Sequence, residues 1–398
     1  MTVPTEGPGG SCRVLVACLP QDLSNAPFDA FVTRHRRMVE TIAAKHSVAV
    51  LCFRTPGDPV PAPSFDGVEE VLDVTLPEVI YTATRSARLR AALRSCGDIE
   101  STTDRAIALA AVSARPDVVV TVGPWLGAEY RPLFGRFPTM HLFEEDMSRQ
   151  WEIASQSWQG GLFRRVETWL YGRAKAQPRL VVTISRRETD AAQRLYPRAT
   201  NLYLPITLPR DAWPVFASPS EGDVVLVVGN LAQARNSEGL TAVLGEMARR
   251  DDAAGIRVRI VSDSGLHPSL QPFVDKPWVD YARPAGFLPD RYREAWAALV
   301  PAQRVTGQKT TILQAWTCAC PVVCFESSAA TVGVPDAVLA GRDATQVVDQ
   351  LVSLSRSPPT RQELVRAGLA ALSLEFDPET EDERVLGAVE YLRHVAAP

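Results

Sequence analysis

Lysine is nearly missing from this chain of 398 residues: of 42 basic residues only Lys45, Lys175, Lys276 and Lys309 are lysines. Long apolar runs are missing too. None reaches the roughly 18–20 residues that cross a bilayer, and residues 1–13, polar and rich in Pro and Gly, lack the apolar stretch of a secretory signal. Both absences point to a cytoplasmic protein without a transmembrane segment. Neither sign of charge prevails, since 46 acidic residues against 42 basic leave a net charge of −4. No global basic field is therefore available to hold nucleic acid. The seven cysteines form an odd, scattered set with no zinc-like spacing, so buried free thiols in a reducing compartment are expected. The C-x-C of Cys318 and Cys320 fits strand alternation without a metal. Finally, no G-x-G-x-x-G follows a first strand, which argues against a nicotinamide dehydrogenase.

What is present is a repeated alternation of short apolar runs with amphipathic ones, the mark of parallel α/β sheets. The length exceeds the roughly 250–300 residues at which a single core stops growing, so two domains are the default. In the first half, strands are expected over 14–19, 48–53, 69–74, 117–122, 139–143 and 180–184. Helices are expected over 29–45, 105–115, 163–176 and 186–195. Residues 205–222 then carry four prolines and read as a linker. The same rhythm restarts with strands over 223–228, 257–261, 279–281, 298–301 and 321–325. Its helices are expected over 237–249, 291–297, 310–317, 344–354, 361–372 and 381–395. In doubly wound sheets, ligands bind at the carboxyl ends of the strands.

The most informative segment is 301–325, PAQRVTGQKTTILQAWTCACPVVCF. A strand ends at Pro301 and a loop with Gly307 leads into a helix opened by Gln308, Lys309, Thr310 and Thr311. A helix start offers N–H groups and the positive end of a dipole to an anion. Gly307 lets the backbone come close to a phosphate, while Arg304 and Lys309 add positive charge. An ordinary βαβ crossover with threonines at a helix start would look the same.

The segment resembles the donor site of GT-B glycosyltransferases of the large family 4. Pro301, Gly307, Leu313, Ala315 and Pro321-Val322-Val323 match that signature. Its two acids fall at Thr306 and Gln314, its lysine at Thr311 and its glycine at Ala319, all departures from the pattern. Lys309 stands near the displaced lysine. Gln314 retains hydrogen bonding to a ribose without charge, and Gln314→Glu is expected to be tolerated.

The resemblance continues through Gly229-Asn230 and Arg235-Asn236, which match the loop beside the diphosphate. Arg235 there has the planar fork that suits phosphate, or is a solvated arginine before a helix. Gly286-Phe287-Leu288 resembles the segment that receives the base. In the first half, residues 180–189 resemble the strand-then-Ser segment before the linker. His141, Glu144, Glu145 and Asp146 occupy the place of an acidic stretch, suited to acceptor binding or proton transfer and equally to a solvated turn. Gly123 and Trp125 lie at the expected cleft edge, where Trp125 stacks on a sugar ring or simply packs. His35, Arg36 and Arg37 lie where the family's first helix approaches the acceptor, or form that helix's solvent face.

The resemblance implies an α/β protein of the GT-B fold: two Rossmann-like doubly wound parallel-sheet domains facing across a cleft. Residues 1–205 would bind the acceptor, with the terminal helix 379–398 packing back on them, and 206–378 would bind the donor. It implies transfer from a nucleotide-diphosphate sugar, as co-substrate, to a small-molecule, lipid-linked or glycan acceptor. Anomeric retention, no cofactor and no metal ion are implied as well, and no D-x-D stands at a suitable strand end. The loss of the two acids keeps a catalytically silent scaffold open, and the two-domain fold a nucleotide-sugar 2-epimerase.

Overall fold

The computed structural model of the chain describes residues 11–19, 30–54, 67–75, 93, 102–122, 130–143, 158–211, 213–218, 222–262, 265–283 and 288–396. Contacts divide the chain into two compact units, Met1–Ile206 with Glu379–Pro398, and Thr207–Pro378.

Seven parallel strands form the sheet of the first unit: β1 (Arg13–Cys18), β2 (Ser47–Arg54), β3 (Val68–Thr75), β4 (Val118–Thr121), β5 (Thr139–Phe143), β6 (Leu180–Thr183) and β7 (Thr200–Tyr203). Their order is β3-β2-β1-β4-β5-β6-β7. The central strands are continuous apolar runs because helices cover both faces, as parallel sheets require. Val14, Val16 and Cys18 of β1 join one core with Met38, Val39 and Ile42 of α1 (Ala30–Ala43). Leu15 and Ala17 point into the other, with Ile107 and Ala111 of α2 (Thr102–Ala114). Helix α3 (Trp158–Gly172) packs on α4 (Arg186–Leu195). The latter opens on Ser185, whose hydroxyl accepts the Glu188 N–H at 3.2 Å, a first-turn donor that would otherwise lack a partner.

The second unit repeats the plan with β8 (Val224–Val228), β9 (Arg257–Val261), β10 (Val279–Ala282), β11 (Ala295–Val300), β12 (Val322–Phe325) and β13 (Leu339–Gly341). These six are also parallel, in the order β10-β9-β8-β11-β12-β13. Its helices are α5 (Ala234–Met247), α6 (Gln271–Val274), α7 (Leu288–Arg293), α8 (Thr310–Thr317), α9 (Glu326–Val332), α10 (Ala344–Ser355) and α11 (Pro358–Glu375). Leu240 and Leu244 of α5 and Val347 and Leu351 of α10 meet Val225, Val227, Val258 and Ile260 in one core. Each such burial contributes about 1.5–3 kcal/mol relative to exposure. Trp316 of α8 is fully buried, and its indole N–H donates to the Ala337 carbonyl at 3.1 Å.

The last helix, α12 (Pro378–Ala396), returns Val385, Ala388, Val389 and Leu392 to the α1 core of the first unit. Arg34 of α1 donates to Glu381 at 2.5 Å and to the Leu204 carbonyl at 3.0 Å. Arg37 and Thr41 both reach Asp382, at 2.5 and 3.0 Å.

One expectation is corrected outright. The helix expected over 291–297 stops at Arg293, and the strand begins at Ala295 rather than at 298. The run Ala295-Trp-Ala-Ala is a good helix former by propensity, but pairing with β8 and β12 at the sheet centre overrides that preference. Strands β7 and β13 and helices α6 and α9 were not expected from the sequence. Six cysteines are free and buried, as expected, while Cys96 lies outside the described residues.

Candidate functional site

Each sheet reverses its strand order at one place, between β1 and β4 and between β8 and β11. Loops leaving two such strands diverge to opposite faces, which opens a crevice at their carboxyl ends. In the second unit that point gathers much of the expected donor site.

After β8 the chain turns at Gly229, whose φ of 151° suits glycine. Asn230 is exposed, and its carbonyl accepts the side-chain N–H of Asn236 at 2.7 Å. This bond ties the loop to the first turn of α5, which also contains Arg235. The loop is pinned a second time, where the Ser262 hydroxyl accepts the Leu231 N–H at 3.3 Å and donates to the Gly265 carbonyl at 2.8 Å. Helix α5 then passes directly against the end of β11. A Cβ on Gly239 would lie 1.9 Å from the Pro301 oxygen, so only glycine permits the approach. An ion pair of 3.1 Å between Arg304 and Glu238 spans the same junction.

Beyond Pro301 the chain runs beside α5 to Gly307, at φ 66°, and enters α8 at Thr310 with Lys309 as its cap residue. Thr306 and Gln308 are buried, and Lys309, Thr310 and Thr311 half-buried. The Lys309 N–H donates to the Thr331 hydroxyl of α9 at 3.1 Å, so the helix start offers the N–H groups that follow Lys309. Gln314 is buried, and its Oε1 accepts from the Tyr292 hydroxyl of α7 at 3.4 Å. Burial, then the neighbouring Cys318 and Cys320, holds the Tyr292 hydroxyl well above its ordinary pKa of 10.0. Burial, with a smaller contribution from Asp290, pushes the Cys318 thiol up to about 12, against the Thr317 hydrogen bond and the Arg293 charge. An uncharged amide suits so buried a place, because it needs hydrogen bonds but no counter-charge. A glutamate there would be a desolvated charge facing one hydroxyl, so the expected tolerance of Gln314→Glu is revised to a cost. Leu288 opens α7, while Gly286 and Phe287 lie outside the described residues.

In the first unit the candidates divide differently. His141 is fully buried on β5, its Nδ1 2.8 Å from the Thr121 hydroxyl and its Nε2 3.5 Å from the Tyr196 hydroxyl. The rings of Tyr130, Phe134, Phe143 and Tyr196 surround it. Strand alternation thus puts His141, expected at the acceptor, among these side chains and away from the surface. Arg37, expected near the acceptor, is held by Asp382 of α12. Glu144, Glu145, Asp146, Gly123 and Trp125 lie outside the described residues, in the segments that follow β5 and β4. Among the described residues no three His, Cys, Asp or Glu side chains gather as metal ligands would, and no helix is long and apolar enough to cross a membrane.

Sequence reasoning missed Tyr292, Ser327, Ser328 and Thr331. The available signal was a helix after Phe325 carrying hydroxyls where a buried face would carry apolar side chains.

A family model described as "Glycosyl transferase 4-like domain" matches residues 32–206. A second, "Glycosyl transferases group 1", matches residues 222–357. No curated protein matches the chain. Among solved structures, sucrose-phosphate synthase from Thermosynechococcus elongatus is similar with a TM-score of 0.69 at 14% identity, over 97% of this chain and 100% of that one. Anabaena HepE in complex with UDP and glucose gives 0.65 at 12% identity, over 96% and 100%. A glycosyltransferase from Rickettsia africae gives 0.62 at 9% identity, over 96% and 98%.

Proposed function

The chain belongs to the glycosyltransferases of the GT-B fold, with a 4-like domain followed by a group 1 domain, and on that premise we propose that the second unit binds a nucleoside-diphosphate sugar whose glycosyl group passes to an acceptor hydroxyl. The observation that carries the donor assignment is the meeting of two helix starts, α5 and α8, at the β8–β11 switch point. Both helix dipoles present their positive ends where a diphosphate would lie. HepE, which shares the fold, binds UDP and glucose, and this supports a donor of that class.

The chemistry needed is the departure of a diphosphate from the anomeric carbon. Charge grows on the bridging phosphate oxygen as the bond breaks. The N–H groups of Thr310 and Thr311 would meet that charge without reorganising, and the cations of Lys309 and Arg235 are assigned to the same phosphates. Removing one such preorganised donor typically lowers kcat by about 10²–10³. Gly229 and Gly307 let the two loops turn closely beneath the phosphates. Transfer with retention and without a metal is part of the proposal, as are acceptor binding by Glu144, Glu145, Asp146, Gly123 and Trp125 and a place of action in the cytoplasm.

Calorimetric titration with UDP, GDP, dTDP and ADP tests the donor site directly. Binding of one of them, lost in a variant altered at Gly307, is the expected result, and no binding of any would sink the reading. Nuclear magnetic resonance of the product's anomeric proton then reports retention, and unchanged turnover in EDTA reports metal independence.

A further inference from the structure

Helix α9 follows β12 directly and takes no part in the assignment above, yet its hydroxyls grip both ends of the loop between β11 and α8. Ser328 Oγ donates to the Ala302 carbonyl at 2.7 Å, and Ser327 Oγ donates to the same oxygen at 3.2 Å. At the far end of the loop, Thr331 Oγ1 accepts the Lys309 N–H at 3.1 Å and donates to the Ser328 carbonyl at 2.7 Å. Ser328 is 0% exposed and Thr331 3% exposed. A hydroxyl that accepts one bond and donates another has a fixed orientation. Thr331 is therefore a rigid stop for the Lys309 amide, and Ser328 the anchor of its backbone.

We propose that Ser328 and Thr331 are positioning residues for the donor's diphosphate. The inference rests on the donor site being where the preceding section puts it. The pair fixes the turn from Gly307 to Thr310 before the donor arrives, so no loop ordering has to be paid at binding. It also sorts the helix-start donors: the Lys309 N–H belongs to Thr331, and the N–H groups of Thr310 and Thr311 are left for phosphate oxygens. Neither side chain touches the donor, and both act through backbone atoms of the loop.

Thr331→Val keeps the shape and removes the hydroxyl, leaving the Lys309 N–H without its acceptor, whereas Thr331→Ser keeps the bond. The Kd of the nucleoside diphosphate that wild type binds, the Kd of the matching monophosphate, kcat, KM and Tm are measured for both. The expected result for Thr331→Val is a diphosphate Kd raised about tenfold, the size of effect of one hydrogen bond, with the shift clearly smaller for the monophosphate. Thr331→Ser is expected to restore wild-type binding. Ser328→Ala, which leaves Ser327 on the Ala302 carbonyl, should show the same split in smaller measure, and it carries the test if Thr331→Val does not fold. A lowered Tm with unchanged diphosphate Kd and unchanged KM in folded variants overturns the proposal and leaves only a structural bond. Wild type that binds no nucleoside diphosphate overturns the donor site itself, and the positioning role with it.

Discussion

The two sheets follow one strand order outward from β1 and from β8, yet they differ in the polar side chains described around them. In the second unit, hydroxyl and amide groups hold the loops at the switch point: Asn236 on Asn230, Ser262 on Leu231, Ser328 on Ala302 and Thr331 on Lys309. In the first unit, the described polar bonds at that point are those of the Tyr130 hydroxyl with the Ala17 and Val122 carbonyls, and others lie away from it. Arg34, Arg37 and Thr41 clasp α12, and Thr121 and Tyr196 satisfy a core histidine. The same topology thus carries polar bonds at both switch points, and in the first unit a further set closes a core with a distant helix.

The contrast is broken most forcefully at Arg34. Replacing it by Ala removes the buried charge partner that Glu381 has in Arg34, a loss of about 3–5 kcal/mol. Urea unfolding followed alongside nucleotide titration should show a destabilised first unit and diphosphate binding that persists in the second. Equal loss of both would show the allocation is not separate. Next in size, Gly239→Ala drives a methyl into the Pro301 carbonyl, costing about 1–3 kcal/mol of overpacking and displacing the loop. Its diphosphate affinity should fall along with its Tm. Lys309→Ala should weaken diphosphate binding by about 1–3 kcal/mol, the scale of a charge-assisted bond, and leave Tm nearly unchanged. Wild-type affinity in that variant removes Lys309 from the site. Gln314→Glu should lower Tm at neutral pH and recover part of the loss in acid, where the new carboxyl takes up a proton.

The smallest effect lies in the first unit. Burial holds His46 below its ordinary 6.5, despite the opposing pull of Glu390. Because the unfolded chain then binds more protons, stability present above 6.5 is lost as pH falls through the folded value. A pH series of Tm should slope downward below 6.5, and His46→Gln should flatten that slope.

Much of this was legible in the sequence wherever a residue's environment is set by its neighbours along the chain. Continuous apolar runs gave β1, β2 and β4, and α4 and α8 begin and end where the pattern puts them. Strand β7, Thr200–Tyr203, escaped notice because its residues are only half-buried at an edge. What was not legible at the site comes from partners far away along the chain. His141 looked accessible beside three acids, but its cage comes from Tyr130, Phe134 and Tyr196. Gln314 is met by Tyr292 from the preceding helix, a partner 22 positions away. Thr331 lies 22 positions from the amide it accepts, and no periodicity announces such a partner.

Helix α12 gives the order of synthesis a meaning of its own. A ribosome delivers Val14, Val16, Met38 and Ile42 early, but their core also contains Val385, Ala388, Val389 and Leu392. The intervening residues 207–378 form a unit that can close on its own contacts. At roughly 5–20 residues per second, the first sheet waits on the order of ten to thirty seconds with one face incompletely covered. The part made first is therefore expected to be finished last, and its exposed apolar face is where a chaperone would bind a nascent chain.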